Sequence, residues 1–231
     1  MAVLIIKNTS AEGPGTIEQF LRRERIPLRI VEAGSGEIPS PLEEFDTLII
    51  MGGPMGVYEM DEYPHLRIGS RLIRGAINRS MKVLGICLGA QLLAYCLGAE
   101  VSKGTEEEIG WRSIELTGNG LKDPLMRKLA IHPRGGDFWR RFRVFQWHSD
   151  TFDVPPGSLL LARSELYRNQ AFRYRDTVYS FQFHIEVTKD MLLEWFEGRP
   201  ELKKIMDETE RVYEEYVGRA INFYKAFFKK T

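Results

Sequence analysis

Two short stretches of this sequence pair residue types and spacings that could do covalent chemistry. The first is Gly85-Ile86-Cys87-Leu88-Gly89, where an apolar run (82–86) meets a stretch with helical character from Leu88 onward. A strand that turns sharply into a helix lifts the side chain at the corner off the end of a sheet. Glycines on either side remove the Cβ atoms that would clash as strand and helix approach. A helix starting directly after Cys87 aims unsatisfied N–H groups and a positive dipole end at the sulfur, which favours thiolate over thiol. The Leu88 N–H would also point to where an oxyanion would form. Taken alone, this corner is about as readily a glycine-rich turn around a small buried thiol.

A thiolate nucleophile needs a base, and the base needs an orienting partner. The second stretch, FQFHIEVT (181–188), contains both types: His184 and Glu186 lie two apart at the end of a predicted strand, TVYSFQFH (177–184). Side chains at i and i+2 of an extended chain point the same way, so Glu186 can hold one imidazole nitrogen while the other faces Cys87. A third stretch, LIIMGGPMGVYE (48–59), puts a glycine loop at the end of another predicted strand, where a backbone N–H could serve as a second oxyanion donor. Cys96 lies mid-helix between Tyr95 and Leu97 and reads as core packing. His65 and His132 flank prolines and read as surface. The four histidines are scattered, so no metal site is expected.

Such residues must be positioned by regular elements. Predicted strands at 3–7, 27–33, 45–51 and 82–86 are continuous apolar runs, and helical patterns at 15–25, 64–80 and from Leu88 fall between them. That alternation predicts an α/β fold with an open, mostly parallel central sheet and helices on both faces. The second half predicts strands at 111–116, 142–148, 158–164, 170–175 and 177–184, a small antiparallel region in which the last two pair about Asp176. HPRGGDFWRR (132–141) reads as a basic, flexible excursion. Residues 1–198 form one expected domain. Residues 199–231 form an amphipathic C-terminal helix, with Val212, Tyr216, Ala220, Phe223, Tyr224 and Phe227 among its apolar positions, packed on that domain or at an interface.

Composition narrows the setting. Lys plus Arg and Asp plus Glu each number 32 in 231 residues, giving zero formal net charge, which argues against nucleic acid or an anionic membrane as partner. Two cysteines make no disulfide framework and point to a reducing, cytoplasmic setting. The N-terminus lacks the basic segment of a signal peptide, and no stretch approaches the roughly 18 apolar residues of a membrane span.

Four separated motifs, MGGPMGVYE (51–59), GICLGAQLLAYCLGA (85–99), WHSDTFDVPPGSLLLARSE (147–165) with NQAFRY (169–174), and FQFHIEV (181–187), together resemble the class I, triad-type glutamine amidotransferases. The likeness is strongest to the free-standing GMP-synthase-like group. The resemblance implies a flavodoxin-like sheet and a Cys87–His184–Glu186 triad of nucleophile, acid/base and orienter. It implies an oxyanion hole from Gly53 and Leu88, and glutamine held by Gly52, Gln91, Ser149 and Asp150. Gln91 is one helical turn beyond Cys87 and so faces the same mouth. The implied reaction releases ammonia from the glutamine side chain through a thioester and needs no cofactor. The sequence contains no G-x-x-x-x-G-K-[ST] loop, so productive use of the ammonia calls for a separate synthetase partner. The alternatives are a hydrolase of γ-glutamyl peptides and a non-catalytic regulatory subunit. The usual H-P-E is here His184-Ile185-Glu186, with a strand-forming residue in place of proline. Leu88 stands where GMP synthases carry tyrosine, so the ammonia acceptor is left unassigned.

Overall fold

The structure is a computed structural model that describes residues 2–37, 41–136 and 138–229. Asp137 of the expected excursion and the last two residues of the tail lie outside these. The strands are β1 (Val3–Lys7), β2 (Leu28–Glu32), β3 (Thr47–Ile50), β4 (Lys82–Ile86), β5 (Val101–Leu116), β6 (Arg141–Phe152), β7 (Ser158–Arg163), β8 (Ala171–Tyr174) and β9 (Val178–Phe181). The helices are α1 (Gly15–Arg23), α2 (His65–Asn78), α3 (Leu88–Cys96), α4 (Gly118–Lys122), α5 (Pro124–Ala130), α6 (Lys189–Trp195) and α7 (Leu202–Phe227).

Period-two alternation within the apolar strands divides the core into two layers. Val3 and Ile5 of β1 face Ile17 and Leu21 of α1 and Phe223 and Phe227 of α7. Leu4 and Ile6 face the other way, toward Leu66 and Ile73 of α2 and Leu92 and Leu93 of α3. Burial on both faces is why these strands carry no polar alternation. The described residues form one nine-stranded sheet in the order β2-β1-β3-β4-β9-β8-β7-β5-β6. β2, β1, β3, β4 and β9 run parallel, and β8, β7, β5 and β6 are antiparallel.

The chain steps from β1 outward to β2 and then back across β1 to β3. The loops leaving β1 and β3 therefore diverge, and a crevice opens at the carboxyl edge of the sheet. The loop after β3 carries Gly52 and Gly53, and the turn after β4 carries Cys87, so both lie on that edge.

Three elements differ from the sequence expectation. The strand expected at 111–116 starts at Val101 and pairs with β6 in a long ribbon whose register shifts between Lys103 and Glu108. Its first half, VSKGTEEEIG, is largely exposed, so charge there replaces the apolar pattern that marks a strand. The strand expected to run to His184 ends at Phe181. Residues 182–187 are irregular and are held by one bridge between His184 and Phe145. The expected excursion is tied down. Pro133 packs so closely on α7 that a Cβ added at Gly218 would lie 2.3 Å from its ring, and Trp139 lies under the Arg219 guanidinium at 4.8 Å. His132, expected at the surface, faces Trp139 and Glu215 and is half-buried.

α7 lies along the face formed by α1 and α5, burying Tyr216, Ala220, Phe223, Tyr224 and Phe227. It reaches the 182–187 segment directly. Tyr224 Oη donates to Ile185 O at 2.8 Å, and Val187 N donates to Tyr216 Oη at 2.9 Å. In an irregular segment, such bonds do what a sheet ladder does elsewhere: they satisfy backbone groups and fix their direction.

Candidate active site

Cys87 occupies a sharp turn between β4 and α3 with φ 52° and ψ −112°, a backbone region unfavourable for a residue with a Cβ. The surrounding packing enforces it. Cys87 N donates to Phe181 O at 2.8 Å, and its carbonyl accepts the first helical bonds, from Ala90 N and Gln91 N. A Cβ at Gly85 would lie 2.5 Å from Gly89 O, and one at Gly89 would overlap Ile50 O. Both glycines are therefore demanded by the approach of α3 to the strands, as the elbow reading expects.

The bond from Cys87 N to Phe181 O also brings in the second motif. β4 pairs in parallel with β9 up to Ile86 and Phe181, so the residues after both strands emerge side by side. The His184 ring lies within electrostatic reach of the Cys87 thiol, while the hydrogen-bond partners of the sulfur are Trp147 O at 3.6 Å and Gln182 Nε2 at 3.9 Å. On its far side His184 Nδ1 pairs with Glu186 Oε1 at 2.7 Å, and the other carboxylate oxygen accepts from Ile185 N at 2.9 Å. The His184–Glu186 contact forms across a bend rather than along an extended strand. A proline at 185 has no N–H, so the isoleucine contributes a bond that the usual H-P-E cannot make. His184 and Glu186 are each 1% exposed, with the Trp195 ring 5.3 Å from the imidazole. Only Cys87 of the three opens onto solvent, through a cleft of about 340 Å³.

Electrostatics at the sulfur differ from the simple helix-end expectation. Burial pushes the Cys87 thiol up, and it outweighs the opposing pull of His184 and the Leu88 N–H. Burial also works against a charged His184, yet the Glu186 carboxylate and the nearby thiol hold the ring well above the usual imidazole range. Glu186 thereby favours the charged ring that would form if the thiol proton passed to His184.

The cleft is lined by Gly53, Cys87, Gln91, Ser149 and Asp150, all named from sequence. Gly52 lies under it, where a Cβ would be 3.4 Å from Cys87 Cβ. Leu88 is buried, with its N–H directed at the Cys87 sulfur. Gln91 donates to Gln182 Oε1 at 3.3 Å and to Asp150 O at 3.5 Å. The Asp150 carboxyl pairs with the Tyr58 hydroxyl. Cys96 is distant, buried among apolar side chains with its thiol toward Ser70 O.

The sequence profile described as Glutamine amidotransferase class-I matches residues 16–192. The chain belongs to that family. The glutamine amidotransferase-like protein YfeJ of Salmonella typhimurium is 32% identical over 192 residues, covering 81% of this chain and 77% of that protein. A glutamine-hydrolyzing GMP synthase subunit of Sulfurisphaera tokodaii is 33% identical over 150 residues, covering 63% of this chain and 70% of that one. Of the longer glutamine-hydrolyzing GMP synthase of Thermomicrobium roseum, the chain spans 23%. The crystal structure of a glutamine amidotransferase from Thermotoga maritima superposes with a TM-score of 0.89 at 32% identity, covering 100% of this chain and 99% of that one.

Within this glutamine amidotransferase fold, the structure adds three features that sequence reasoning missed. Gln182 is fully buried beside the sulfur, 3.9 Å from Cys87 Sγ. A polar residue inside FQFH was the available signal. Behind β6 a buried set links Glu108 to His148 Nε2 at 3.2 Å and to Gln170 Nε2 at 2.7 Å, while His148 Nδ1 faces Asp150 O at 3.0 Å. This set fixes the cleft wall at Ser149 and Asp150 from behind. The third is Glu12, in the loop after β1, whose carboxyl lines the cleft beside Cys87.

Burial, reinforced by the Glu186 charge and opposed by His184, pushes Glu12 up to about 7, from 4.5. Between those values the folded chain binds more protons at this site than the unfolded chain, so charging Glu12 costs stability as pH rises through the window. Glu12→Gln, which keeps the shape and drops the charge, is expected to match wild type in Tm below about pH 4.5. Its advantage should grow as pH rises from about 4.5 to about 7 and level off above that. A Tm difference that stays constant from pH 4 to pH 8 in parallel melts contradicts this assignment.

Proposed function

We propose that this chain hydrolyses the side-chain amide of glutamine to glutamate and ammonia, and that the ammonia is delivered to a separate synthetase partner. The observation that carries the reading is the sequence of groups from cleft to interior: Cys87 at the mouth, His184 within reach of its thiol and Glu186 against the far ring nitrogen.

In this mechanism His184 takes the Cys87 proton as the sulfur attacks the carboxamide carbon. The oxyanion that forms is held by the N–H groups of Gly53 and Leu88. His184 then gives its proton to the departing nitrogen, so ammonia leaves and a γ-glutamyl thioester remains. Water attacks the thioester while His184 takes its proton. Return of that proton to the sulfur frees glutamate and restores the thiol. Glu186 keeps the ring oriented and stabilises its charged form at both stages. Gly52, Gln91, Ser149 and Asp150 line the space for the amino-acid end of the substrate. Tyr58 and Lys103, at the outer part of the cleft, are the residues a docked partner would meet first.

The test is to measure ammonia and glutamate from glutamine, and amine release from γ-glutamyl dipeptides, on the same preparation. Stoichiometric ammonia and glutamate with slow dipeptide cleavage supports the proposal. Faster dipeptide cleavage favours a γ-glutamyl hydrolase, and no turnover of either favours a regulatory role.

A further inference from the structure

The carboxyl of Glu12 has no part in the mechanism above, yet it is built into the site. Its loop is anchored on both sides. Asn8 Nδ2 donates to Met51 O at 2.8 Å, Trp195 Nε1 to Ala11 O at 2.9 Å, and Thr16 N to Glu186 O at 2.8 Å. These bonds tie the segment to the β3 loop, to the ring that covers His184, and to Glu186 itself. Glu12 is thereby aimed into the crevice at the point where the β1 and β3 loops diverge. Its Oε2 occupies the space that a Cβ at Gly52 would need, and that same point is 3.4 Å from Cys87 Cβ. Gly52 is thus required for the Glu12 carboxyl to stand next to the nucleophile.

Four carboxyl groups line the cleft among the described residues: Glu12, Glu59, Glu107 and Asp150. Three have partners. Glu59 accepts from Gly56 N at 2.6 Å, Glu107 from Trp147 Nε1 at 3.0 Å, and Asp150 pairs with the Tyr58 hydroxyl. Among the same residues the one lysine or arginine on the lining, Lys103, lies over the Tyr58 ring at 5.7 Å. No donor among the described residues hydrogen-bonds to the Glu12 carboxyl; its charged neighbours are His184 and Glu186, with Cys87 also in range. The groups proposed for the oxyanion are N–H donors, matched to a carbonyl oxygen, and the Trp147 carbonyl oxygen, 3.6 Å from Cys87 Sγ, can accept one hydrogen at most of a facing –NH2. The –NH2 of a carboxamide brings two hydrogens into this enclosed space, and leaving them without an acceptor is costly. A carboxyl oxygen is the complementary group.

We propose that Glu12 is a substrate-contacting residue, its carboxyl oxygen accepting a hydrogen bond from the –NH2 of the scissile primary carboxamide. The inference rests on the proposed glutamine hydrolysis and refines it: the site selects primary amides by recognising the amide nitrogen as well as the carbonyl. The oxygen acts as acceptor in either protonation state, and the contact forms before any bond is broken.

The experiment compares wild type, Glu12→Ala and Glu12→Gln on glutamine and on the γ-methyl ester of glutamate, which has no N–H at the scissile group. Glu12→Ala should lower kcat/KM for glutamine by about 10-fold or more and for the ester by no more than about 3-fold. Glu12→Gln should fall between, because its amide carbonyl still accepts. Equal losses on both substrates, or no loss on glutamine, overturn the proposal. If wild type turns over neither substrate, the hydrolysis reading fails, and Glu12 is judged by alkylation. The ratio of Cys87 modification rates with iodoacetamide and methyl iodoacetate should drop about 3-fold or more in Glu12→Ala. An unchanged ratio overturns the contact.

Discussion

Cys87→Ala is expected to lower glutamine hydrolysis by on the order of 10⁴-fold or more, to assay background, whereas Cys96→Ala stays within about two-fold of wild type. The two thiols lie at opposite ends of α3, Cys87 in the turn before it and Cys96 as its last residue, and their surroundings differ in kind. Cys87 lines the cleft, feels the His184 ring and holds a strained backbone that only tight packing sustains. Cys96 is buried among apolar side chains, and burial pushes its thiol up with no base nearby. A glutamine-like electrophile should therefore add to one cysteine. Peptide mass spectrometry that finds the adduct on Cys96, or equal activity losses in the two variants, refutes the division of roles.

Glu186→Gln is the second large effect, a loss of on the order of 10³- to 10⁴-fold in kcat/KM with the fold intact. The carboxylate makes two bonds, to His184 Nδ1 at 2.7 Å and from Ile185 N at 2.9 Å. An amide at this position keeps its oxygen for the Ile185 N–H and turns its –NH2 toward Nδ1. The imidazole must then carry its proton on the nitrogen facing Cys87, where it cannot accept one from the thiol. Removing the Glu186 charge also removes the main influence raising His184, so its pKa should fall. The readouts are kcat/KM against pH and the histidine titration by NMR. Retention of more than a tenth of wild-type activity, or a His184 titration that does not move, would count decisively against Glu186 as the orienting group.

Much of this site was legible because its parts are local. Gly85 and Gly89 flank Cys87 for a reason confined to a few residues, the closeness of one strand to the helix it enters. His184 and Glu186 meet because they are two apart, although the bond crosses a bend rather than a strand. Gln91 reaches the cleft because helical geometry puts it one turn beyond Cys87. The residues that escaped notice act through non-local neighbours. Nothing in NTSAEGPG marks Glu12 as a cleft residue, since its meaning depends on Gly52 from another loop. Glu108 reads as one acid in an exposed acidic run. The partners that make it a buried acceptor, His148 and Gln170, come from β6 and from the segment leading into β8.

The same distinction holds for the whole protein. The sequence by itself determined the alternation of buried strands and amphipathic helices, the elbow at Cys87 and the family, because those depend on side-chain period, glycine placement and short motifs. Only the tertiary structure decided that β9 docks beside β4, which sets Gln182 next to a sulfur 95 residues away and carries His184 to the thiol. It also decided that α7 braces the irregular segment after β9, and that the loop after β1 turns a carboxyl onto Cys87. Strand partners and loop contacts are chosen by the total burial of two apolar layers, a property of the assembled chain that no short stretch contains.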